Sequence, residues 1–335
     1  MKAILNKIDN ILLGSNLKKF WSLYDRYRYE QGLEKSEKER FEKDRMARNE
    51  KYSDSKLVYA NNSEIIKYVK EIEANGYIVI KNFATSNALR KAKDFVDNSI
   101  KTGTHLKGVI KDSARAAIDL EGPNIYFSPE ECLKGGPYFR ENTNYVAVED
   151  PLCNISELSE LAFHPTILSI VHHYLKGVPA LGGMNLRKSF VNDLNEYDTL
   201  YFHVDKNSPK FLKAFFYLND VDKNGGPFCF VKHSHKKKFP LWMKKYRWTN
   251  DEIVEKYGNK NIINITANVG DLIIADTTGF HRGTKVKSND RYMLTLDYVI
   301  HPEFKGKSEV IQINKNQFNS FTNEQKAACD FLTII

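Results

Sequence analysis

The first 60 residues alternate apolar and charged positions in a way that predicts helices beside a main core rather than a core of their own. Four apolar residues at helical spacing share one face of the first predicted helix: Ile4, Ile8, Ile11 and Leu12. That helix is expected to pack on the main domain or on a second copy, and a basic helix on a membrane surface is the alternative. From 34 to 51 charged residues dominate, which predicts a solvated helix or a connector. We therefore expect an N-terminal helical extension over residues 1–60.

A pattern of capped helices and short strands begins near residue 61. Ser63 is expected to cap a helix that ends at Asn75 and Gly76 and leads into a strand at Tyr77–Ile80. Further helices are predicted at 87–100 and 164–177, the second with a glycine stop.

The stretch 102–144 is too long and irregular for an ordinary connector, so we interpret it as loops that cover an active site. Four of its polar or aromatic side chains are candidates for substrate contacts: Arg115, Tyr126, Arg140 and Asn144.

After residue 180 the apolar positions change from a period of about 3.6 residues to a period of about 2, which predicts β-strands. The expected strands are 181–190, 199–205, 211–218, 227–232, 261–267, 271–276 and 291–299. Several short strands after a helical front half predict an α+β protein with a mainly β core, either closed or built from two sheets, and helices packed outside. We expect this domain to span 61–305 and a C-terminal tail, 306–335, to pack on it.

Composition and charge narrow the class of protein. A chain of 335 residues with 41% hydrophobic positions can bury a full core. The formal net charge is +8, but the first 51 residues mix 13 basic with 9 acidic side chains, which argues against a nucleic-acid-binding stripe. The four cysteines form no CxxC pair and no apolar run is long enough to span a membrane, so a cytoplasmic protein without disulfides is expected.

A metal site is the first candidate chemistry. His203 and Asp205 lie two residues apart in a predicted strand, so both would project from one face with Cα atoms roughly 6.5 Å apart. His281 follows another strand and a short turn, and it can supply a third ligand. Two imidazoles and one carboxylate on one face of an octahedron leave positions open, which is typical of iron(II) enzymes that activate oxygen. Zinc tolerates the same atoms, but an HExxH-like source of a general base is missing.

Arg291 adds a cosubstrate site. It lies ten residues after His281, at the start of the predicted strand RYMLTLDYV. Its planar and permanently charged guanidinium suits a carboxylate and can hold one end of a dicarboxylate. An ordinary surface arginine in a hairpin is the alternative interpretation.

Together these segments resemble a known family. In chain order, HVD, KAFFYLNDVDKNGGPFCFVKHSH, GDLIIADTTGFHRG and Arg291 resemble the phytanoyl-CoA dioxygenase family of iron(II)/2-oxoglutarate oxygenases, over about residues 62–300. The resemblance implies a double-stranded β-helix, a jelly roll of the cupin-like kind, and O2 as the oxidant. It also implies the following roles: His203, Asp205 and His281 as Fe(II) ligands, Arg291 on the distal carboxylate of 2-oxoglutarate, and Asn185 in the segment MNLRKSF at its other end.

The implied reaction is hydroxylation of an unactivated C–H bond of a small molecule, coupled to oxidative decarboxylation of 2-oxoglutarate to succinate and CO2. The net charge makes an anionic substrate an option. Two alternatives remain: a non-catalytic jelly roll that binds a ligand, and a nucleic-acid demethylase of the same chemistry, which the mixed charges disfavour. The oligomeric state is left open.

Two positions depart from the family pattern. Many relatives have Pro-Gly-Ser-His where this chain has KHSH, and in that segment we expect His235 to be structural and His233 to lie near the surface. Some relatives have a serine two residues after the distal histidine, where this chain has Gly283 followed by Thr284. The basic run 236–247 is expected to be a solvated amphipathic segment.

Overall fold

The computed structural model describes residues 38–107, 126–196, 198–205, 208–236, 247–301 and 310–335. The predicted amphipathic helix at 4–12, the candidate Arg115 and most of the basic run 236–247 lie outside the described residues. In the described part of the chain, no helix has the length and apolar character needed to span a membrane.

Most of the described helices lie before residue 180. They are α1 (38–51), α2 (Ser63–Asn75), α3 (Ser86–Thr102), α4 (Pro129–Cys132), α5 (Gly135–Asn142), α6 (Pro151–Asn154), α7 (Leu158–Ala162), α8 (Pro165–Leu175), α9 (Asn250–Tyr257), α10 (Lys315–Asn319) and α11 (Asn323–Ala328). Short 3-10 helices lie at Ser53–Ser55, Asp198–Leu200 and Asn259–Asn261.

The strands form a double-sheet core. They are β1 (Tyr77–Ile80), β2 (Tyr145–Val148), β3 (Ala180–Ser189), β4 (Leu212–Tyr217), β5 (Phe228–Val231), β6 (Ile262–Ile265), β7 (Leu272–Ala275), β8 (His281–Gly283), β9 (Arg291–Val299), β10 (Gln312–Ile313) and β11 (Thr333–Ile334). A six-stranded sheet has the order β1-β7-β4-β9-β3-β2, and a three-stranded sheet has the order β6-β5-β8. All pairs within these two sheets are antiparallel.

Successive side chains of strand β9 lie on opposite faces of the large sheet. Leu294, Leu296 and Tyr298 are buried against the helices on the outer face of the large sheet. Met293, the residue before Leu294, packs with Phe215 and with side chains of the small sheet. Because successive residues of a strand point to opposite faces, the odd-numbered residues of β9 face the space between the sheets. The mainly β, jelly-roll core that the sequence predicts is therefore present.

The sequence patterns predicted most of the helices and strands, but not all of the residues at which they begin and end. Helix α2 is capped by Asn62, whose side chain accepts a hydrogen bond from the backbone N–H of Ile65, rather than by Ser63. Helix α8 ends with Lys176 in the left-handed conformation, one residue before the expected glycine stop. The predicted strand 199–205 is only partly formed, because it begins as a 3-10 turn and pairs with its neighbours through isolated bridges.

Helix α1 has mostly exposed side chains, as its charges predict, but it is also docked on the domain. Arg48 is 6% exposed, and its guanidinium donates to the carbonyl oxygens of Val178 and Ala327, both at 2.7 Å. It also pairs with Asp330 at 2.7 Å. One buried arginine therefore joins α1 to the core and to the C-terminal residues, a set of contacts that helix periodicity does not reveal.

His172 on α8 makes stability depend on acidic pH. Its ring stacks on Tyr59 with centroids 4.2 Å apart, and its Nδ1–H donates to the carbonyl of Gly177. Burial and then the neighbouring His173 lower the pKa of His172 to about 4. Because this pKa lies below that of the unfolded chain, the stabilisation is complete above pH about 6.5 and is lost as the pH falls toward 4.

We expect His172→Phe, which keeps the stack, to remove part of this acid sensitivity. After allowance for the partly exposed ring, the wild type should lose about 1 kcal/mol more than the variant between pH 7 and pH 5. Urea unfolding of both proteins at the two pH values measures the difference. Equal losses would show that His172 does not titrate with unfolding.

Candidate metal centre

The two predicted histidine ligands lie side by side because their backbones pair. His203 and His281 form an antiparallel bridge with reciprocal N–H to carbonyl hydrogen bonds of 2.9 Å. Their ring centroids are 4.2 Å apart. The segment around His203 therefore extends the small sheet beyond β8, and residues 78 positions apart in the chain become neighbours.

Backbone carbonyls hold both imidazoles in one tautomer. His203 Nδ1 lies 2.9 Å from the carbonyl oxygen of Tyr201, and His281 Nδ1 lies 3.0 Å from that of Gly279. A carbonyl can only accept, so each Nδ1 carries a proton, and Nε2 is the nitrogen left to bind a metal. Burial, and next the proximity of His281, hold the pKa of His203 well below its usual value, which favours the neutral ring that a metal needs.

Asp205 is the third candidate metal ligand. Its backbone N–H donates to the carbonyl of Thr277 at 2.9 Å, which places the carboxylate beside both rings. Oδ2 lies 3.4 Å from His281 Nε2, and Oδ1 lies 4.0 Å from His203 Nε2. The three candidate ligand atoms all lie within 4.8 Å of one another. Two imidazoles and one carboxylate in this arrangement fit a divalent ion with open positions.

Lys213 is a neighbour of this site that the sequence alone did not single out. Its Nζ lies 2.8 Å from Asp205 Oδ2 and 3.5 Å from Asp297 Oδ1. Burial raises the pKa of Asp205, but Lys213 and the histidines outweigh it and hold that pKa well below its usual range. Burial lowers the pKa of Lys213, but the two carboxylates outweigh it and raise that pKa overall. Lys213 is therefore the charge partner of the metal-ligand candidate.

Arg291 is buried without a carboxylate partner among the described residues. It is 3% exposed, and its guanidinium donates to the carbonyl of Gly226 and to Ser189 Oγ, while Nε has no hydrogen-bond partner. Burial, and then Arg187, lower the pKa of Arg291 to about 10, so the side chain is still charged at neutral pH. A buried cation without an anion is costly, and it is the expected state of a site that receives its anion from a ligand.

Gly226 supplies the carbonyl that orients Arg291, and its conformation requires glycine. Its φ is +74°, and an added Cβ would lie 2.7 Å from Val286 Cγ2 and 2.8 Å from the carbonyl oxygen of Thr284. Gly226 therefore follows directly on the turn 222–225, and its carbonyl supports the arginine.

One cavity of about 230 Å³ joins these groups. Its lining includes all five predicted site residues: Asn185, His203, Asp205, His281 and Arg291. Asn185 lies on β3 opposite Thr295 of β9. The lining also includes polar residues that the sequence did not identify: Tyr145, Arg187, Lys213, Thr295 and Asp297. On β9, strand alternation from Arg291 could have found Thr295 and Asp297.

The other described candidates for substrate contacts do not line this cavity. Tyr126 is 53% exposed. Arg140 forms a bidentate pair with Asp290, at 2.7 Å for both hydrogen bonds, and does not line the cavity. Asn144 lines a smaller adjoining cavity that also reaches Arg291. We therefore assign Arg140 a structural role.

At the two positions that depart from the family pattern, the side chains make contacts with nearby backbone carbonyls. His233 is exposed and His235 is buried, and their rings contact the carbonyls of Ala74 and Glu73 at the end of α2. Thr284 donates its hydroxyl to the carbonyl of Pro227. A Cβ added at Gly283 would lie 3.4 Å from Arg291 Nη2, so this glycine leaves space beside the guanidinium.

The fold and this site define a class of protein, the jelly-roll metal-dependent oxygenases. The model of the phytanoyl-CoA dioxygenase (PhyH) family matches residues 72–293, and the chain belongs to that family. The expected class of enzyme, an Fe(II)- and 2-oxoglutarate-dependent dioxygenase, is thereby confirmed together with its cofactors.

Solved structures with a similar fold are distant in sequence. The epimerase SnoN, in complex with Fe3+, alpha ketoglutarate and nogalamycin RO, is 14% identical over 71% of this chain and 84% of its own, with a TM-score of 0.51. HygX from Streptomyces hygroscopicus, with nickel and 2-oxoglutarate bound, is 16% identical over 76% of this chain and 91% of its own, with a TM-score of 0.46. No curated protein matches the chain. The likeness to SnoN supports the jelly-roll fold.

Proposed function

We propose that this enzyme hydroxylates an unactivated C–H bond of a small molecule. One oxygen atom of O2 would enter that bond, and the other would enter succinate as 2-oxoglutarate loses CO2. The observation that carries the proposal is the meeting, in one cavity, of three converging ligand atoms and a buried arginine that has no carboxylate partner among the described residues.

In this proposal each site residue has one task. His203, Asp205 and His281 hold Fe(II), which supplies the oxygen-activating chemistry when bound. Arg291 pairs with the distal carboxylate of 2-oxoglutarate through its planar fork, and Asn185 contacts the other end. Phe215, Phe228 and Met293 line the same cavity. Such apolar walls exclude water from the reacting groups and strengthen the charge pairing within.

The proposed substrate is a small molecule. SnoN, whose fold is similar, was solved with nogalamycin RO, and we carry over only the size class of that ligand. Arg187 adds positive charge to the cavity wall beside Arg291, whereas the charge of Lys213 is offset by Asp205 and Asp297. This favours a substrate with an anionic group.

Anaerobic binding tests the cofactor roles. Addition of Fe(II) and 2-oxoglutarate to the wild type is expected to give the weak visible charge-transfer band of a 2-oxoglutarate chelate. His203→Ala and Asp205→Ala should lose the band, because each removes a ligand. His173→Ala is the matched control, since that imidazole contacts the carbonyl of Ala60 outside the cavity. A band that persists in His203→Ala would refute the assignment.

Turnover in air tests the reaction. Candidate small molecules that are substrates should stimulate succinate formation and gain the mass of one oxygen atom, with label from 18O2 in the new hydroxyl group. Chelate formation without succinate from any substrate class would instead favour a jelly roll that only binds its ligand. A product without added oxygen would exclude hydroxylation and leave another reaction of the same enzyme class.

A further inference from the structure

One turn supports two of the proposed metal ligands. Thr277 accepts the hydrogen bond from the backbone N–H of Asp205, and two residues later Gly279 accepts the Nδ1–H of His281. The turn 276–280 therefore sets the position of a carboxylate and the tautomer and direction of an imidazole. The imidazole of His203 has its acceptor outside the turn, since its Nδ1 bonds to the carbonyl of Tyr201.

Asp276 organises this turn from inside the protein. It is 3% exposed, and its Oδ1 accepts the backbone N–H of Thr278 at 3.0 Å and the hydroxyl of Thr278 at 2.6 Å. Its backbone carbonyl accepts the N–H of Gly279 at 3.1 Å, and its own N–H donates to Gly76. A buried carboxylate with this many donors has one orientation, and the turn built around it has one shape.

Tyr174 is a further hydrogen-bond donor to that carboxylate and comes from another layer of the fold. It lies on α8, is 2% exposed, and donates its hydroxyl to Asp276 Oδ2 at 2.6 Å. Its backbone carbonyl accepts a hydrogen bond from the ammonium group of Lys210, which holds the end of α8 next to the segment that leads into β4. The tyrosine hydroxyl therefore links a helix on the outer face of the sheet to the turn that holds Asp205 and His281.

We propose that Tyr174 is a positioning residue of the metal centre, acting through Asp276 on the turn that carries the acceptors for Asp205 and His281. This inference rests on the proposed metal ligands. Groups that orient metal ligands from outside the coordination sphere typically change metal affinity by about 10- to 100-fold when they are removed. Tyr174 contacts neither the metal ligands nor the cavity, so its effect must pass through the turn.

The test compares Tyr174→Phe with Tyr298→Phe. Tyr298 is a matched control, because it is also fully buried and donates its hydroxyl at 2.7 Å, but to the carbonyl of Ala162 away from the turn. Calorimetric titration with Co(II), in the absence of 2-oxoglutarate, should show about 10-fold weaker binding to Tyr174→Phe and unchanged binding to Tyr298→Phe. The visible absorption bands of bound Co(II) should change only in Tyr174→Phe.

A second readout needs no metal. In the metal-free wild type, histidine nitrogen NMR shifts should show the Nδ1–H tautomer for both His203 and His281. Tyr174→Phe should shift His281 toward a tautomer mixture and leave His203 unchanged, because only His281 has its acceptor in the turn. If Tyr174→Phe does not fold, Thr278→Val removes another hydrogen bond from Asp276 and should have the same pattern.

The outcomes separate this inference from the proposed function. Weaker Co(II) binding in both tyrosine variants, or in neither, would overturn the positioning role. An unchanged His281 tautomer in Tyr174→Phe would do the same without any use of metal. A wild-type protein that binds no Co(II) would instead refute the proposed metal site itself.

Discussion

Lys213→Met is expected to lower the free energy of unfolding of the metal-free protein by about 3 kcal/mol, because removal of one partner leaves buried charges uncompensated. Nζ of Lys213 lies 2.8 Å from Oδ2 of Asp205 and 3.5 Å from Oδ1 of Asp297, and only 16% of the lysine side chain is exposed. Methionine keeps most of the volume, so packing changes little. Urea denaturation of metal-free wild type and variant measures the loss.

Divalent metal should reduce this loss. A metal bound beside Asp205 supplies the positive charge that the variant lacks, so saturating Mn(II) is expected to stabilise Lys213→Met more than the wild type. Lys93→Met is the matched control. Lys93 pairs with Asp97 at the same 2.8 Å, but its side chain is 37% exposed, and the expected loss is about 1 kcal/mol or less, independent of metal. A loss below 1 kcal/mol in Lys213→Met would contradict the buried-pair assignment.

Arg291→Met is expected to weaken 2-oxoglutarate binding to the metal-loaded protein by about 10- to 100-fold, because charge-assisted hydrogen bonds to the distal carboxylate are lost. The free energy of unfolding of the ligand-free protein should not fall, since the variant removes a buried cation that no carboxylate in the described part of the chain compensates. This opposite response of binding and stability is the signature of a residue that is kept for its ligand. Anaerobic 2-oxoglutarate titration and urea unfolding measure the two quantities.

Arg140→Met provides the comparison for this second experiment. Arg140 pairs with Asp290 outside the cavity, so its loss should leave the affinity for 2-oxoglutarate within about twofold of the wild type. Metal affinity in the absence of 2-oxoglutarate should be unchanged in both arginine variants. Wild-type affinity for 2-oxoglutarate in Arg291→Met would remove Arg291 from the proposed site.

The sequence predicted best the helices and strands, which interactions between nearby residues determine. Strand alternation located β3, β4, β5, β6, β7 and β9 to within one or two residues. Helix signals located α2, α3 and α8, although the caps fell on Asn62 and Lys176 rather than on the expected residues. These elements are predictable because hydrogen bonding and side-chain alternation within a few residues determine them.

The expected reason for the proximity of His203 and Asp205 was only partly right. Strand alternation alone was expected to bring the two side chains together, but the chain around them forms a short turn and isolated bridges. The backbone of His203 pairs with His281, and that of Asp205 with Thr277. Partners from a segment more than seventy residues away therefore determine their positions, which no local pattern can show.

By itself the sequence determined the family, the order of the strands along the chain and the set of residues from which a metal and cosubstrate site can be built. Only the tertiary structure showed that Lys213 pairs with Asp205, that Arg291 is buried with no carboxylate partner among the residues described, and that Tyr174 reaches the turn behind the metal ligands. The physical reason is the range of the interactions. Local patterns fix secondary structure and motif order, whereas the charge balance of a cavity depends on which distant strands lie side by side and on how deeply their side chains are buried.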